Sequence, residues 1–240
     1  MSAMPLDVTS IIVGLLKQRR YDLVDEISRR EISSLIEHVN SLSSNELWNI
    51  IDDVTGGLGY TQSDKDISRL IIYGSYISWA EEVREGSKVL EIGTGLGRTC
   101  YTVLSVTMPS LYLTIDSSST ILAIALYRNP YPPFQEALWK PVVKICLCDA
   151  LKAVNSITDT FDHIIHDGGP NPNRNPTLYS NNFLERLIEL LKNGGSLSMF
   201  GSKSKVWQNK LYSKLRDLKL RVKTQPIPYS PLVVFHCMKD

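Results

Sequence analysis

The chain has 240 residues, 43% of them hydrophobic, with 26 Lys/Arg against 25 Asp/Glu and a net charge of +1. A chain of this length buries roughly three quarters of its unfolded surface, so it needs no disulfide or metal staple and suits one large domain or one domain with an appendage. The cysteines Cys100, Cys146, Cys148 and Cys237 are scattered. Their only close pair, Cys-x-Cys, lacks zinc-ligand spacing, so no metal site is expected and all four read as buried hydrophobes in a reducing compartment. No apolar run approaches a membrane span, and Ile11 to Leu16 lacks the context of a signal-peptide cleavage site. The expected location is therefore the cytoplasm.

In chain order, the first segments are helical. Ile11 to Arg20 and Asp22 to Ser41 come first, followed by a helix opened by Ser43 with Glu46 three residues later, the pattern of a capping box. The tetrad Gly56-Gly57-Leu58-Gly59 breaks the helices. Asp64 to Glu85 then places Ile67, Leu70, Ile71, Ile77 and Ala80 at helical spacing. The pattern changes near Gly86-Ser87, which divides an N-terminal helical region, 1–86, from a second domain, 87–240. Charge changes sign close to the same place: residues 1–87 carry 8 Lys/Arg and 14 Asp/Glu, whereas residues 88–240 carry 18 and 11.

Beyond the boundary, strand-like apolar runs alternate with helical ones. The strands are expected at Lys88 to Gly93, Leu111 to Asp116, Val142 to Leu147, Phe161 to Asp167 and Gly195 to Phe200, with two more near Leu220 to Thr224 and Leu232 to Met238. Helices are expected between the first five, at about 97–107, 118–127, 150–156 and 181–192. This alternation predicts an α/β fold, a seven-stranded, mostly parallel sheet covered on both faces. In such a sheet, ligands bind beyond the carboxyl ends of the strands, where strand order reverses.

The first strand ends in Gly93-Thr94-Gly95-Leu96-Gly97 and runs directly into a helix, where glycines permit a tight turn and close approach of a ligand to the helix N-terminus. The same loop would also serve as a plain strand-to-helix turn. Its Gly-x-Gly-x-Gly spacing departs from the Gly-x-Gly-x-x-Gly of dinucleotide folds and lacks the Gly-Lys-Ser/Thr of a P-loop. Asp116 ends the second strand, 23 residues past Gly93, where a carboxylate can accept from both ribose hydroxyls. Asp116 or Ser117 would equally cap the next helix. Asp149, before Ala150, is placed to contact a purine amino group or to complement a helix N-terminus. Asp167 ends the fourth strand, where it could orient or deprotonate a nucleophile or tie down the turn after it. Strand alternation sends Asp167 and His166 to opposite faces, and His163 is expected to be structural.

The series Val89-Leu90-Glu91-Ile92-Gly93-Thr94-Gly95-Leu96-Gly97, Asp116, Asp149-Ala150 and Asp167 resembles the ordered motifs of class I S-adenosylmethionine (SAM)-dependent methyltransferases, over about residues 86–238. The resemblance implies a Rossmann-like fold with SAM as cofactor. It puts Glu91, Gly93, Thr94, Gly95 and Gly97 around the methionine end, Asp116 with Ser117 at the ribose, Asp149 and Ala150 at the adenine, and Asp167 as the catalytic candidate. More narrowly, Phe161-Asp162-His163-Ile164-Ile165-His166-Asp167, Leu178-Tyr179-Ser180 with Phe183, Leu191-Lys192-Asn193-Gly194-Gly195 and Asn129-Pro130 are similar to uncharacterised archaeal methyltransferase-like proteins related to spermidine synthases. Where those carry Asp-Pro-Pro, this chain has Asp167-Gly168-Gly169-Pro170.

Methyl transfer to RNA, protein or a small molecule is the first expectation. An aminopropyltransferase using decarboxylated SAM and a catalytically inactive binding subunit are the alternatives. A polyamine acceptor calls for carboxylates, yet residues 168–182 contain no Asp or Glu and include Arg174; Asp64 or Asp66 could compensate. The segment 201–224 holds eight bases and one acid. It is a possible nucleic-acid contact, or else the solvated side of a helix with Val206, Leu211, Leu215 and Leu218 on its apolar side. The N-terminal helices could cover the acceptor site, contact a partner or form a homo-oligomer.

Overall fold

The computed structural model describes residues 7–55, 60, 67–169, 171–228 and 230–240. The expected break at Gly56 to Gly59, the acids Asp64 and Asp66, and Pro170 lie outside the described residues.

Seven strands form one sheet: β1 (Lys88–Ile92), β2 (Leu111–Asp116), β3 (Val143–Leu147), β4 (Phe161–His166), β5 (Leu191–Phe200), β6 (Arg221–Pro226) and β7 (Val233–Met238). Their order is β3-β2-β1-β4-β5-β7-β6. The first five strands are parallel, and β7 lies antiparallel between β5 and β6. This is the expected mostly parallel, Rossmann-like methyltransferase fold. Strand order reverses between β1 and β4, which opens a crevice above their carboxyl ends. β6 is an edge strand with Arg221 and Lys223 exposed, so part of the basic segment is the charge that keeps a free edge from pairing with another chain.

The helices of this half are α6 (Arg98–Leu104), α7 (Ser119–Tyr127), α8 (Pro132–Leu138), α9 (Ala150–Ser156), α10 (Asn181–Leu190) and α11 (Lys205–Asp217). α8 lies between the second and third strands, where only the helix at about 118–127 was expected. Proline is well accommodated in the first turn of a helix, and Phe134, Ala137 and Leu138 bury the inner side of this one. In α11 the apolar side forms as expected at Leu211, Leu215 and Leu218, and only Val206 departs from it, its place taken by Trp207. Val206 is 77% exposed, while Leu211 and Leu215 are buried and Trp207 packs against the core beside them. The spacing 207, 211, 215 holds one helix face, whereas 206 to 211 does not.

Five helices precede the sheet: α1 (Val8–Lys17), α2 (Tyr21–Ser33), α3 (Ile36–Ser41), α4 (Ser44–Thr55) and α5 (Ile67–Ser78). The single helix expected over Asp22 to Ser41 is divided near Ser34, where the hydroxyls of Ser33 and Ser34 donate to the carbonyls of Arg30 and Glu31 at 2.7 and 2.6 Å. Such local bonds compete with helix continuation. The capping box forms as read: the Ser43 N–H donates to Glu46 Oε2 at 2.7 Å and the Glu46 N–H to Ser43 Oγ at 3.3 Å.

These helices share the core of the sheet. Ile12, Leu16, Tyr21 and Val24 pack with Leu90, Leu113 and Ile115 on one face, and Ile32, Val39, Ile51 and Leu70 pack with Val89, Tyr112 and Ile165 on the other. α2 also closes the edge at β3. Asp25 Oδ1 accepts the Ile145 N–H at 2.9 Å, and Ser28 Oγ accepts the Leu147 N–H at 3.0 Å. Arg29 Nε donates to the same Asp25 oxygen at 2.7 Å.

Asp25→Ala would leave a strand N–H without its acceptor, and an unsatisfied buried group costs about 1–3 kcal/mol. Urea denaturation should show a loss of that size for Asp25→Ala. Asp22→Ala, which removes only the exposed partner of Lys144, should cost less than about 0.5 kcal/mol.

Candidate functional site

Three glycines shape the loop after β1, each for its own reason. All have left-handed backbones, with φ of +92° at Gly93, +50° at Gly95 and +86° at Gly97. At Gly93 a Cβ would come within 2.6 Å of Gly168 Cα, so the loops after β1 and β4 touch backbone to backbone. At Gly97 a Cβ would strike Leu138 of α8 at 2.8 Å. At Gly95 no atom lies within 4 Å of the Cβ position, so only its φ demands glycine. Gly169 also has positive φ, +60°, and its Cβ would meet Asn175 at 2.7 Å. The Gly168-Gly169 turn that departs from Asp-Pro-Pro is therefore set by a backbone contact at Gly168 and by the Asn175 side chain against Gly169.

Above the switch point lies a cavity of about 210 Å³, with Gly93, Thr94, Gly95, Asp116, Ser117, Ala150 and Asp167 among its lining residues. The structure thus brings together residues that the sequence spreads over more than 70 positions. The Asp116 carboxylate accepts the Gly95 N–H at 3.1 Å and the Ser118 N–H at 3.0 Å. Burial pushes its pKa up, and the backbone N–H groups around it oppose the shift. The cap of α7 is neither Asp116 nor Ser117 but Ser118, whose Oγ accepts the Ile121 N–H at 3.2 Å.

Glu91, Gly97 and Asp149 do not reach the cavity wall. Asp149 is exposed and caps α9, accepting the Lys152 N–H at 3.0 Å. Its neighbour Ala150 is the residue that lines the cavity. Glu91 is fully buried beneath the loop, where Thr99 Oγ1 donates to Oε1 and Thr114 Oγ1 donates to Oε2 at 2.7 Å. Thr114 in turn bonds Thr94 of the loop at 2.7 Å. Burial pushes the Glu91 carboxyl up to about 8, against the hydrogen bonds that favour its anion. Through these bonds it supports the loop from below.

The sequence reading missed Arg98. This residue opens α6, lines the cavity, is 3% exposed, and pairs with Asp167 through Nη2 to Oδ2 at 3.3 Å. The Tyr60 ring lies under its guanidinium at 5.0 Å. A cation in the first turn of a helix opposes the dipole, and that was the available signal that it needed a partner. Val54 and Thr55, at the end of α4, also line the cavity, so the N-terminal region contributes to its wall. Burial raises the Asp167 pKa, and Arg98 works against the rise.

The two histidines of β4 face opposite ways. His166 turns from the cavity and donates Nε2–H to the Leu178 carbonyl at 2.8 Å, packed against Tyr179 and Phe183. His163 lies between Ser196 Oγ and the Ser78 carbonyl at 2.7 and 2.8 Å, and burial drives its pKa down to about 4. All four cysteines are buried and unbridged, and among the described residues no cluster of His, Cys, Asp or Glu could hold a metal. No helix among them is long and apolar enough to cross a membrane.

The support role of Glu91 makes a pH prediction. Its folded pKa lies above its unfolded value, so its contribution is fully present below about 4.5 and is lost as pH rises towards about 8. Denaturation across pH 5–8 should show wild type losing stability that Glu91→Gln keeps, with a difference of a few kcal/mol by pH 8. Parallel curves for the two proteins would contradict the assignment.

Residues 133–225 match the model of a family described as S-adenosyl-L-methionine-dependent methyltransferase. An uncharacterized protein of Methanocaldococcus jannaschii is 32% identical over 133 residues, which are 55% of this chain and 44% of that one. The chain therefore spans less than half the length of this curated relative. Among solved structures, a spermidine synthase in complex with the transition-state analogue AdoDATO superposes with a TM-score of 0.62 at 19% identity, over 71% of this chain and 61% of the other. The spermidine synthase from Thermotoga maritima gives 0.60 at 18% identity, over 71% and 60%. At these identities the likeness is one of fold. The chain carries the class I methyltransferase fold, and its segment 133–225 matches the S-adenosyl-L-methionine-dependent methyltransferases, whose cofactor is S-adenosyl-L-methionine.

Proposed function

We propose that this protein transfers a methyl group from SAM to an acceptor entering over the carboxyl end of β4. The observation that carries the reading is the cavity at the switch point, where the Gly93–Gly95 loop, Asp116 and Asp167 meet. The turn fits a ligand that approaches the backbone closely, because Gly95 has no side chain and an open space before it. Gly93, Thr94 and Gly95 would border the cofactor, Asp116 with Ser117 would take its ribose, and Ala150 would lie against its base. When bound, SAM supplies a methyl group already activated on a sulfonium, so the protein's share is chiefly positioning. Asp167 gives Oδ2 to Arg98, and we assign Oδ1 to the acceptor, which it would orient or deprotonate.

Against aminopropyl transfer stands the charge of the lining. Among the described residues that line the cavity, Asp116 and Asp167 are the carboxylates, and Asp167 is already paired with Arg98. A polyamine would leave its ammonium groups with little to pair with there. The acceptor could be polyanionic, since Lys203, Lys205 and Lys210 are exposed at the start of α11, and Trp207 Nε1 of that helix donates to Asn173 in the loop beside the cavity at 3.0 Å.

The test is methyl transfer from labelled SAM into RNA, protein and small-molecule pools. Incorporation into one pool is expected, and Asp167→Asn should lower it about 100-fold while leaving thermal stabilisation by S-adenosylhomocysteine largely in place. Asp116→Ala should keep its circular dichroism spectrum and lose most of that stabilisation, which for wild type is about 2.7 kcal/mol at 100 times the dissociation constant. Absence of any stabilisation of wild type by SAM or S-adenosylhomocysteine would refute the proposal.

A further inference from the structure

We propose that Arg98 reads the α-carboxylate of the cofactor's methionine part and thereby selects SAM over decarboxylated SAM. The inference rests on the SAM reading above and adds to it the residue that discriminates between the two donors.

Charge in the cavity leads to it. SAM carries a sulfonium, an ammonium and a carboxylate, and decarboxylated SAM keeps only the two cations. Among the described lining residues the charged side chains are Asp116, Asp167 and Arg98. Glu91, which the resemblance places at the methionine end, lies fully buried below the loop and does not line the cavity. Asp116 stands at the β2 end, held by the Gly95 and Ser118 amides, where the ribose is assigned. Arg98 is then the one cation in the described lining that can meet a carboxylate, and a guanidinium fork matches a carboxylate in a two-bond geometry.

Arg98 is also held in place from three directions before any ligand arrives. Its stem rests against α5, where a Cβ on Gly74 would come within 2.8 Å of Arg98 Cγ. Tyr60 lies under its guanidinium plane at 5.0 Å, and Asp167 sets its orientation at 3.3 Å. A buried cation at a helix N-terminus opposes both desolvation and the helix dipole, so stability alone does not explain an arginine there. A rigid guanidinium loses little freedom on binding. For decarboxylated SAM the same group would face only positive charge.

The experiment is calorimetric titration of wild type with S-adenosylhomocysteine and with its decarboxylated counterpart, which differ only in the carboxylate. A charge-assisted pair should make S-adenosylhomocysteine roughly tenfold tighter or more. Arg98→Gln should abolish the preference, weakening S-adenosylhomocysteine and, by removing a like charge and freeing Asp167, leaving the decarboxylated compound as tight as before or tighter; Arg98→Lys should retain part of the preference. Equal affinity of wild type for the two compounds overturns the proposal even if no variant folds, and so does a preference that survives in Arg98→Gln. Binding of neither compound would instead count against the SAM reading itself.

Discussion

The backbone contact between Gly93 and Gly168 is the constraint on which the site depends. β1 and β4 are neighbours at the point where the sheet reverses, and their carboxyl ends must leave the sheet in nearly the same place. Side chains at either position would force the loops apart, since a Cβ on Gly93 would lie 2.6 Å from Gly168 Cα and a Cβ on Gly168 would lie 2.9 Å from Ile92 Cγ2. With both positions bare, the Gly93 N–H reaches the Ile115 carbonyl at 2.8 Å and the Asp167 N–H reaches the Ile92 carbonyl at 3.0 Å. The sheet hydrogen bonding therefore continues one residue into the crevice, and Asp167 is carried to the cavity wall.

Polar groups around this contact fall into two levels with different electrostatics. Below the loop, Glu91 with Thr99, Thr114 and Thr94 forms a buried network whose carboxyl is pushed well above the usual carboxylate range by burial. At the cavity wall, Asp167 and Arg98 form an ion pair in which Arg98 works against the rise that burial imposes on the carboxyl. A charge below the loop would compete for the same cation and cost its own desolvation. Among the described residues the wall itself carries one cation and two carboxylates, Arg98, Asp116 and Asp167.

The helices before the sheet take part in the same construction. α2 satisfies the outward N–H groups of Ile145 and Leu147, so β3 is not an open edge, and α5 fixes the stem of Arg98. Their apolar stripes pack on their own sheet. The end of α4 supplies Val54 and Thr55 to the cavity. A region whose composition and charge differ from the rest of the chain thus lies within reach of whatever the cavity binds.

Sequence alone determined the strands, most of the helices, the glycine loop and the positions of Asp116 and Asp167, because each is a local pattern: apolar periodicity, a strand end, a turn that needs small residues. Only the tertiary structure decided the rest. That Arg98 faces Asp167, 69 positions away, that Gly168 is required by Gly93, that Glu91 lies under the loop and that Asp149 stays a cap all depend on distances between segments remote in sequence. α8 was absent from the sequence reading, and its last residue, Leu138, is what packs against Gly97. Periodicity reports which face of an element is buried, and it carries no information about which distant group that face will meet.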